Sequence, residues 1–384
     1  MRVLKGALLF LVVCILGGCW DRMEINDLAF VTGTALDVQE DGSLFCTLQI
    51  AIPGSKEGSG GGGKGDSGSF YLISAKGNNG NEIHQALQKK SSRQLFYSHR
   101  SVVFISERLA RQGINKALLD VFTHDPRNRL KTYMMIVKGG DARQILELNY
   151  PLKQVPLEVV NEMQRTGDEV AVTLRDFFIA NQSEGIQPVV GVLELGDHLT
   201  DKKEQIFKAE GTGILKDLKL IGLLDEKETL SLMWLMNNLK YGRISTPLPE
   251  DQGKIGIMLN HTTSKIVTHA DKNAVRFNVM LEGTGTVEEN NSSLDVSDSA
   301  QMAMIKQAVE NSVRKQVEQL LLKLQKKYKA DSVGFGQEVY KSNPGKWKTL
   351  KKEWDAQFQN ASITVDVDLT VNGAGMVHST LQHE

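Results

Sequence analysis

The residues with the clearest chemistry stand at the start of the chain. Arg2 and Lys5 precede an apolar run from Ala7 to Leu16, and Leu16, Gly17, Gly18 and Cys19 follow in the order of a bacterial lipoprotein box. Charge, apolar stretch and small residues are what an export peptidase requires, so residues 1–18 are expected to be a lipoprotein signal peptide. A cysteine just after small residues supplies a thiol that attacks a lipid donor as its thiolate. Cys19 is therefore expected to be the lipid attachment site, a diacylglyceryl-cysteine bearing palmitate-class chains at the new N terminus. Two acyl chains, at about 0.8 kcal/mol per buried CH₂, hold a protein on its membrane where one chain does so only marginally.

The other candidate constellations carry less. Gly58, Gly63 and Lys64 match most of a phosphate-binding loop, but Gly65 stands where Ser or Thr should hold magnesium, and no helix follows to meet a phosphate. Gly211/Gly213, Gly283/Gly285 and Gly334/Gly336 lack the third glycine of a dinucleotide fingerprint and read as bulges or caps. The eight histidines show no pair at i, i+4 and no neighbouring cysteine set, so no metal site is expected. Asp366 and Asp368 share one side of an alternating strand and read as its solvated face, not as an acid/base pair. His99-Arg100 and Asp125-Pro126-Arg127 read as a buried ion-pair corner and a turn. No nucleophile elbow is present, and no catalytic residue or cofactor is assigned.

The chain has 384 residues, 41% of them hydrophobic and 24% charged, an ordinary globular balance that excludes a disordered or fibrous chain. Removing residues 1–18 takes away Arg2 and Lys5 and no acid, leaving 43 basic against 46 acidic residues, so no nucleic-acid partner is expected. Of the three cysteines, Cys14 leaves with the signal and Cys19 takes the lipid. Cys46 then stands alone on an apolar strand, as a buried structural thiol.

The elements that position these residues read as α+β, with mixed sheets packed against helices in more than one domain. Strands are expected at Leu28–Val38 and Leu44–Ile52 around the Asp41-Gly42 turn, then at Phe70–Ala75, Ser101–Ile105, Thr132–Val137 and Val189–Leu195. Helices are expected at Asn81–Lys90, from Ser106 through Phe122, from an Asp141 cap to Leu148, and near Leu157–Gln164 and Leu174–Ala180. The Gly/Ser-rich stretch 54–69 reads as a disordered loop. The polar run Gly196–Glu204 sets the expected boundary between an N-terminal α+β region, 19–198, and a C-terminal α+β domain, 205–384. In the second, a hairpin crosses Lys216-Asp217, Asp225 caps a helix to Leu239, and strands follow at Lys254–Leu259, Lys265–His269 and Val275–Glu282. Met302, Ile305, Val309, Val313, Val317, Leu320, Leu324 and Tyr328 recur at steps of three and four, one apolar stripe along a helix of about 45 Å. A shorter helix carrying Trp347, Leu350, Trp354 and Phe358 precedes a strand in which Ile363, Val365, Val367, Leu369 and Val371 alternate with polar residues.

From Gly18-Cys19-Trp20-Asp21-Arg22 with Glu24 and Ile25, the chain resembles the Ger(x)C family of spore germination lipoproteins, the C subunits of nutrient germinant receptors. The resemblance runs through Phe30–Ala35, His99–Ile105 with Glu107, Leu109 and Gly113, and Asp125 with Arg129 and Tyr133. It continues at Gly211–Gly222 with Lys216 and Asp217, then at Asp331, Gly334, Phe335, Gly336, Pro344, Trp347 and Trp354, covering essentially the whole chain. Met23, where the family often has a charged residue, and Thr123-His124, where an Arg is common, depart from the pattern.

The resemblance implies a three-part α+β molecule, which places a further division near Tyr150. It implies a lipid-anchored subunit on the outer face of the spore inner membrane, partnered by integral membrane A and B subunits and taking part in nutrient-triggered germination. It carries over no enzymatic residue. A solute-binding lipoprotein handing a nutrient to a transporter shares the anchor, but the two similar lobes such proteins use are not seen in the sequence. Titration of the soluble chain with amino acids and sugars separates the two. An exported wall hydrolase lacks any acid/base or nucleophile set.

Overall fold

The apolar runs Val102–Ser106 (β5) and Tyr133–Lys138 (β6) contain residues buried on both faces, the pattern of central parallel strands covered by helices on each side. The computed structural model describes residues 24–52, 70–114, 119, 122–123, 128–148, 170–196, 206–249, 252–270 and 275–373. The leader with Leu16, Gly17, Gly18 and Cys19, the loop 54–69, Asp125 and Arg127, the expected helix near 157–164 and the division near Tyr150 lie outside them.

The first sheet has nine strands. Leu28–Val38 (β1), Leu44–Ala51 (β2) and Phe70–Gly77 (β3) form an antiparallel wing, and Gln94–Phe96 (β4) pairs with the start of β1. β1, β5, β6 and Val189–Gly196 (β7) are mutually parallel. Ile206–Lys216 (β8) runs antiparallel to β7, and Lys219–Leu224 (β9), antiparallel to β8, closes the sheet. The β8–β9 hairpin turns at Asp217 and Leu218, both at positive φ, as a two-residue connection between twisted strands requires. It belongs to the first sheet by its hydrogen bonds, although the polar run before it reads in the sequence as the start of a second unit.

Helices cover both faces. Gly80–Gln88 (α1), Glu107–Gln112 (α2) and Leu174–Gln182 (α4) lie over Val31, Val103, Met134, Ile136, Val190 and Leu215. Arg143–Glu147 (α3) covers Phe104, Met135, Val137 and Phe207 on the other face. Asp141 does not cap α3 as the sequence suggests. The buried Asp37 carboxylate does so from β1, accepting from Ala142 N at 2.7 Å and Arg143 N at 3.3 Å. Burial raises its pKa, against the pull of those two N–H groups. Cys46 is buried, and desolvation pushes its thiol up to about 12, so it is inert at neutral pH.

The second sheet has four strands in the order Tyr241–Pro247 (β10), Gly253–Ala270 (β11), Val275–Ser292 (β12) and Ser362–Asn372 (β13). Two expected strands are one, since β11 runs unbroken from Gly253 to Ala270. Its polar middle is carried by register shifts at Gly256/Ile257 and Asn260/Thr263, with His261 at positive φ. β12 continues past Glu282 to Ser292, and β10 has no counterpart in the sequence reading. Ahead of this sheet, Asp225 caps Glu226–Leu235 (α5) in a reciprocal capping box with Glu228, and the helix ends four residues earlier than expected. Asp225→Ala should lower stability by about 1 kcal/mol in urea unfolding.

Ser299–Leu322 (α6) continues through a π-helical turn, Lys323–Tyr328, and its apolar stripe packs on the second sheet, as its period requires. α6 also shields an edge. Leu369 N on β13 donates to Glu310 Oε1 at 2.9 Å, and Val365 O accepts from Arg314 Nε at 3.1 Å, so side chains of the crossover helix satisfy two backbone groups of the edge strand. Phe335–Ser342 (α7), Pro344–Leu350 (α8) and Trp354–Asn360 (α9) come between. The single helix expected around Trp347 is two, joined by a 3₁₀ turn at Lys351–Glu353, with the same four residues buried.

Candidate functional site

The chemistry-bearing residues that converge most closely meet where the two sheets join. After α6, Lys329 sits at positive φ and turns the chain into Ala330–Gly334. This places Asp331, fully buried, beneath the start of α7. Its Oδ1 accepts from Gly334 N at 2.8 Å and Phe335 N at 3.1 Å. Its Oδ2 accepts from Gly336 N at 2.8 Å and the Trp354 indole at 3.1 Å. Burial raises its pKa to about 6, opposed first by the Gly336, Gly334 and Phe335 amides and then by Trp354.

The strand-entry loop before β7 docks on this knot. Gln187 N donates to Asp331 O at 2.7 Å. Glu184 accepts from the Trp347 indole and from Lys351 Nζ, each at 2.9 Å, and the Lys351 contact, then Trp347, holds its pKa below the usual carboxylate range. Trp347 and Trp354 meet edge to face at 5.2 Å. Gly185 lies against Gly336, each where a side chain would strike the other's backbone. Lys216, ending β8, donates to Asp355 at 2.6 Å and to Lys329 O at 2.9 Å. A cavity of about 620 Å³ opens here, lined in part by Glu184, Gln187, Asp331, Trp347, Lys351 and Trp354.

Both oxygens of Asp331 and both of Glu184 accept hydrogen bonds, so these two carboxylates are committed to donors. The arrangement can fasten two sheets rigidly, while no nucleophile and base are paired in it. Asp331, Gly334, Phe335, Gly336, Trp347, Trp354 and Lys216, all named by the resemblance, come together here. Glu184 and Gln187 escaped the sequence reading, whose one usable signal was Gly185, a turn glycine at positive φ just before an apolar strand.

The remaining sequence candidates among the described residues do not join a site. Arg100 is buried, hydrogen-bonded to Asn128 and stacked over Phe122 at 4.6 Å and Tyr97 at 5.4 Å, while Asp125 and Arg127 of the expected ion-pair corner and turn lie outside the described residues. Asp366 and Asp368 are exposed, and Asp368 pairs with Lys306 at 2.9 Å. Among the described residues no group of three or more His, Cys, Asp or Glu side chains is placed to hold a metal ion. Among them, too, no helix is long and apolar enough to cross a membrane.

Two mixed sheets, covered by helices and fastened by a buried carboxylate, define an α+β protein of more than one domain with a structural junction at its centre. Residues 21–195 match the family described as spore germination protein N-terminal domain, and residues 210–375 match spore germination B3/GerAC like, C-terminal. The chain belongs to this family of spore germination proteins, as its resemblance indicated. The two family segments part at the polar run, whereas the hydrogen bonds carry the first sheet on to Leu224.

The YfkR chain of Bacillus subtilis (strain 168) is 29% identical over 384 residues, 99% of each chain. Spore germination protein KC of that bacterium is 25% identical over 402 residues, 100% of this chain and 98% of its own. The crystal structure of the GerBC protein has the same fold, with a TM-score of 0.57 at 19% identity over 91% of this chain and 99% of that one.

Proposed function

We propose that this chain is the lipid-anchored subunit of a nutrient germinant receptor, held by diacylglyceryl-Cys19 on the outer face of the spore inner membrane beside integral membrane A and B subunits. The observation that carries the reading is the lipoprotein box Leu16-Gly17-Gly18-Cys19 at the head of a chain that matches spore germination proteins over nearly its whole length. Export and cleavage leave Cys19 nine residues before Leu28, where the first sheet begins. The tether is therefore short, and it turns assembly with membrane subunits from a bulk encounter into one at high local concentration. In this reading the two α+β regions, 19–198 and 205–384, present binding surfaces and perform no catalysis.

The test is Cys19→Ala in spores. The protein should leave the membrane fraction, and the nutrient response should slow by about tenfold or more as the effective concentration falls. A normal response with the protein released from the membrane overturns the proposal. Affinity capture of the lipidated protein should recover two integral membrane subunits.

A further inference from the structure

The four strands β1, β5, β6 and β7 are parallel, so their N-terminal ends lie along one edge of the first sheet. That edge is where the chain enters from Cys19. Nine residues span at most about 30 Å, so a bilayer holding Cys19 lies within that reach of Leu28.

This edge gathers exposed apolar side chains. Nine large hydrophobic side chains are exposed among the described residues, and four of them gather here: Ile25 (71%), Ile52 (40%), Tyr71 (40%) and Leu130 (39%). Ile25 belongs to the entering segment. Ile52 follows the end of β2, and Tyr71 opens β3 opposite Ile50, which pairs with Val31 near the start of β1. Leu130 sits in a turn before β6 that is closed by Thr132 N donating to Arg129 O at 3.1 Å and tied to α4 by Arg175 N donating to Leu130 O at 2.9 Å.

Exposed basic residues stand between them. Arg129 and Lys131 flank Leu130, and Arg93 directly precedes Gln94, the partner of Leu28. Just before β7, Lys351 bonds Glu184, with Lys348 and Lys352 exposed close to it in sequence. Among the described acids near this edge, Asp176 is paired with Arg175, Glu184 with Lys351 and Asp355 with Lys216, leaving Glu24, Asp27, Asp217 and Glu353. Apolar and aromatic side chains interleaved with Arg and Lys are the makeup of a surface that rests in the headgroup layer of an anionic bilayer.

We infer that this edge lies against the anionic membrane surface, with Arg93, Arg129 and Lys131 meeting lipid phosphates while Leu130 and Tyr71 dip between headgroups, fixing the orientation of the tethered protein. The inference rests on the anchor reading for which edge faces the membrane, but the surface itself is testable without the lipid. The chain from Trp20 on keeps every described residue and lacks only the leader and Cys19.

This chain should co-sediment with phosphatidylcholine vesicles containing about one-third phosphatidylglycerol, and only weakly with phosphatidylcholine alone. Raised salt should release it. The triple reversal R93E/R129E/K131E should weaken the binding by at least about tenfold. Reversal of Lys240, Lys254 and Lys265, which are exposed in and beside the second sheet, should leave most of it. A fluorophore on Leu130→Cys should shift to the blue on anionic vesicles, and one on Tyr241→Cys should not.

Equal partition onto both vesicle types, or equal loss from the two reversals, overturns the inference. The mass of the N-terminal peptide reports lipidation of Cys19 separately. A lipid on Cys19 without charge-selective binding leaves the anchor standing and removes this surface. Selective binding without a lipid does the reverse.

Discussion

Asp331→Ala should lower the unfolding free energy by about 3–5 kcal/mol, because four buried N–H donors lose their acceptor at once. Three of these are backbone amides opening α7, whose N-cap residue, Gly334, has no side chain to accept from them. The fourth is the Trp354 indole, which is stacked among Trp347, Phe277 and Phe358 and cannot turn to water without disturbing them. Asp331→Asn keeps one acceptor oxygen and should lose about half as much. Urea unfolding followed by tryptophan fluorescence reads both, and a change in either variant below about 1 kcal/mol would show that the knot is not a strut.

The same carboxylate makes the junction sensitive to pH. Its folded pKa, about 6, lies above the ordinary 3.8, so the folded state holds the proton longer than the unfolded one. Its contribution is complete below about pH 4 and is lost as pH rises through about 6. The stability difference between the native chain and Asp331→Asn should therefore shrink across that window and stay level above it. A difference that instead grows with pH would mean that the four donors outweigh burial.

The second large effect is expected at Gly336. A methyl group there would lie 2.6 Å from Gly185 Cα, 2.8 Å from Gly185 O and 2.8 Å from the Trp354 ring. Two of these three atoms are backbone, so no rotamer change relieves the clash. The loop Glu184–Gln187 must then move off α7, carrying with it the Gln187-to-Asp331 hydrogen bond. Gly336→Ala should cost about 2–3 kcal/mol, a large penalty for one added carbon. Gly345→Ala makes a control, since a methyl there comes no nearer than 3.6 Å to Asn343 Oδ1. If both glycines tolerate alanine equally, the two sheets are not held by close approach.

Local pattern fixed a good deal of this fold. Strand alternation at Ile363–Val371 places β13 within one residue at each end, and the stripe from Met302 to Tyr328 gives α6 and its buried face, though not the π-turn at Lys323–Tyr328. Both rest on a side-chain period that holds along β13 and along α6 as far as Leu322. Alternation marks only part of β11 and β12, because bulges and polar residues interrupt the period while the hydrogen-bond ladder continues. The Asp141 cap failed for a different reason. A carboxylate on β1 reaches the helix start across the sheet, and nothing near residue 141 announces it.

The sequence by itself determined the export signal and lipid cysteine as expectations, the α+β class, the long helix and, by resemblance, the family. These are written in composition, in periods of two and 3.6, and in short contiguous motifs, all of which are local properties of a chain. Only the tertiary structure decided that the β8–β9 hairpin completes the first sheet, that Glu184 and Gln187 fasten to Asp331 and Trp347, and that Arg93, Leu130 and the entering N terminus share one edge. Each of these joins residues that are distant in sequence, and such contacts are selected by the packing of whole sheets and helices, which no local pattern encodes.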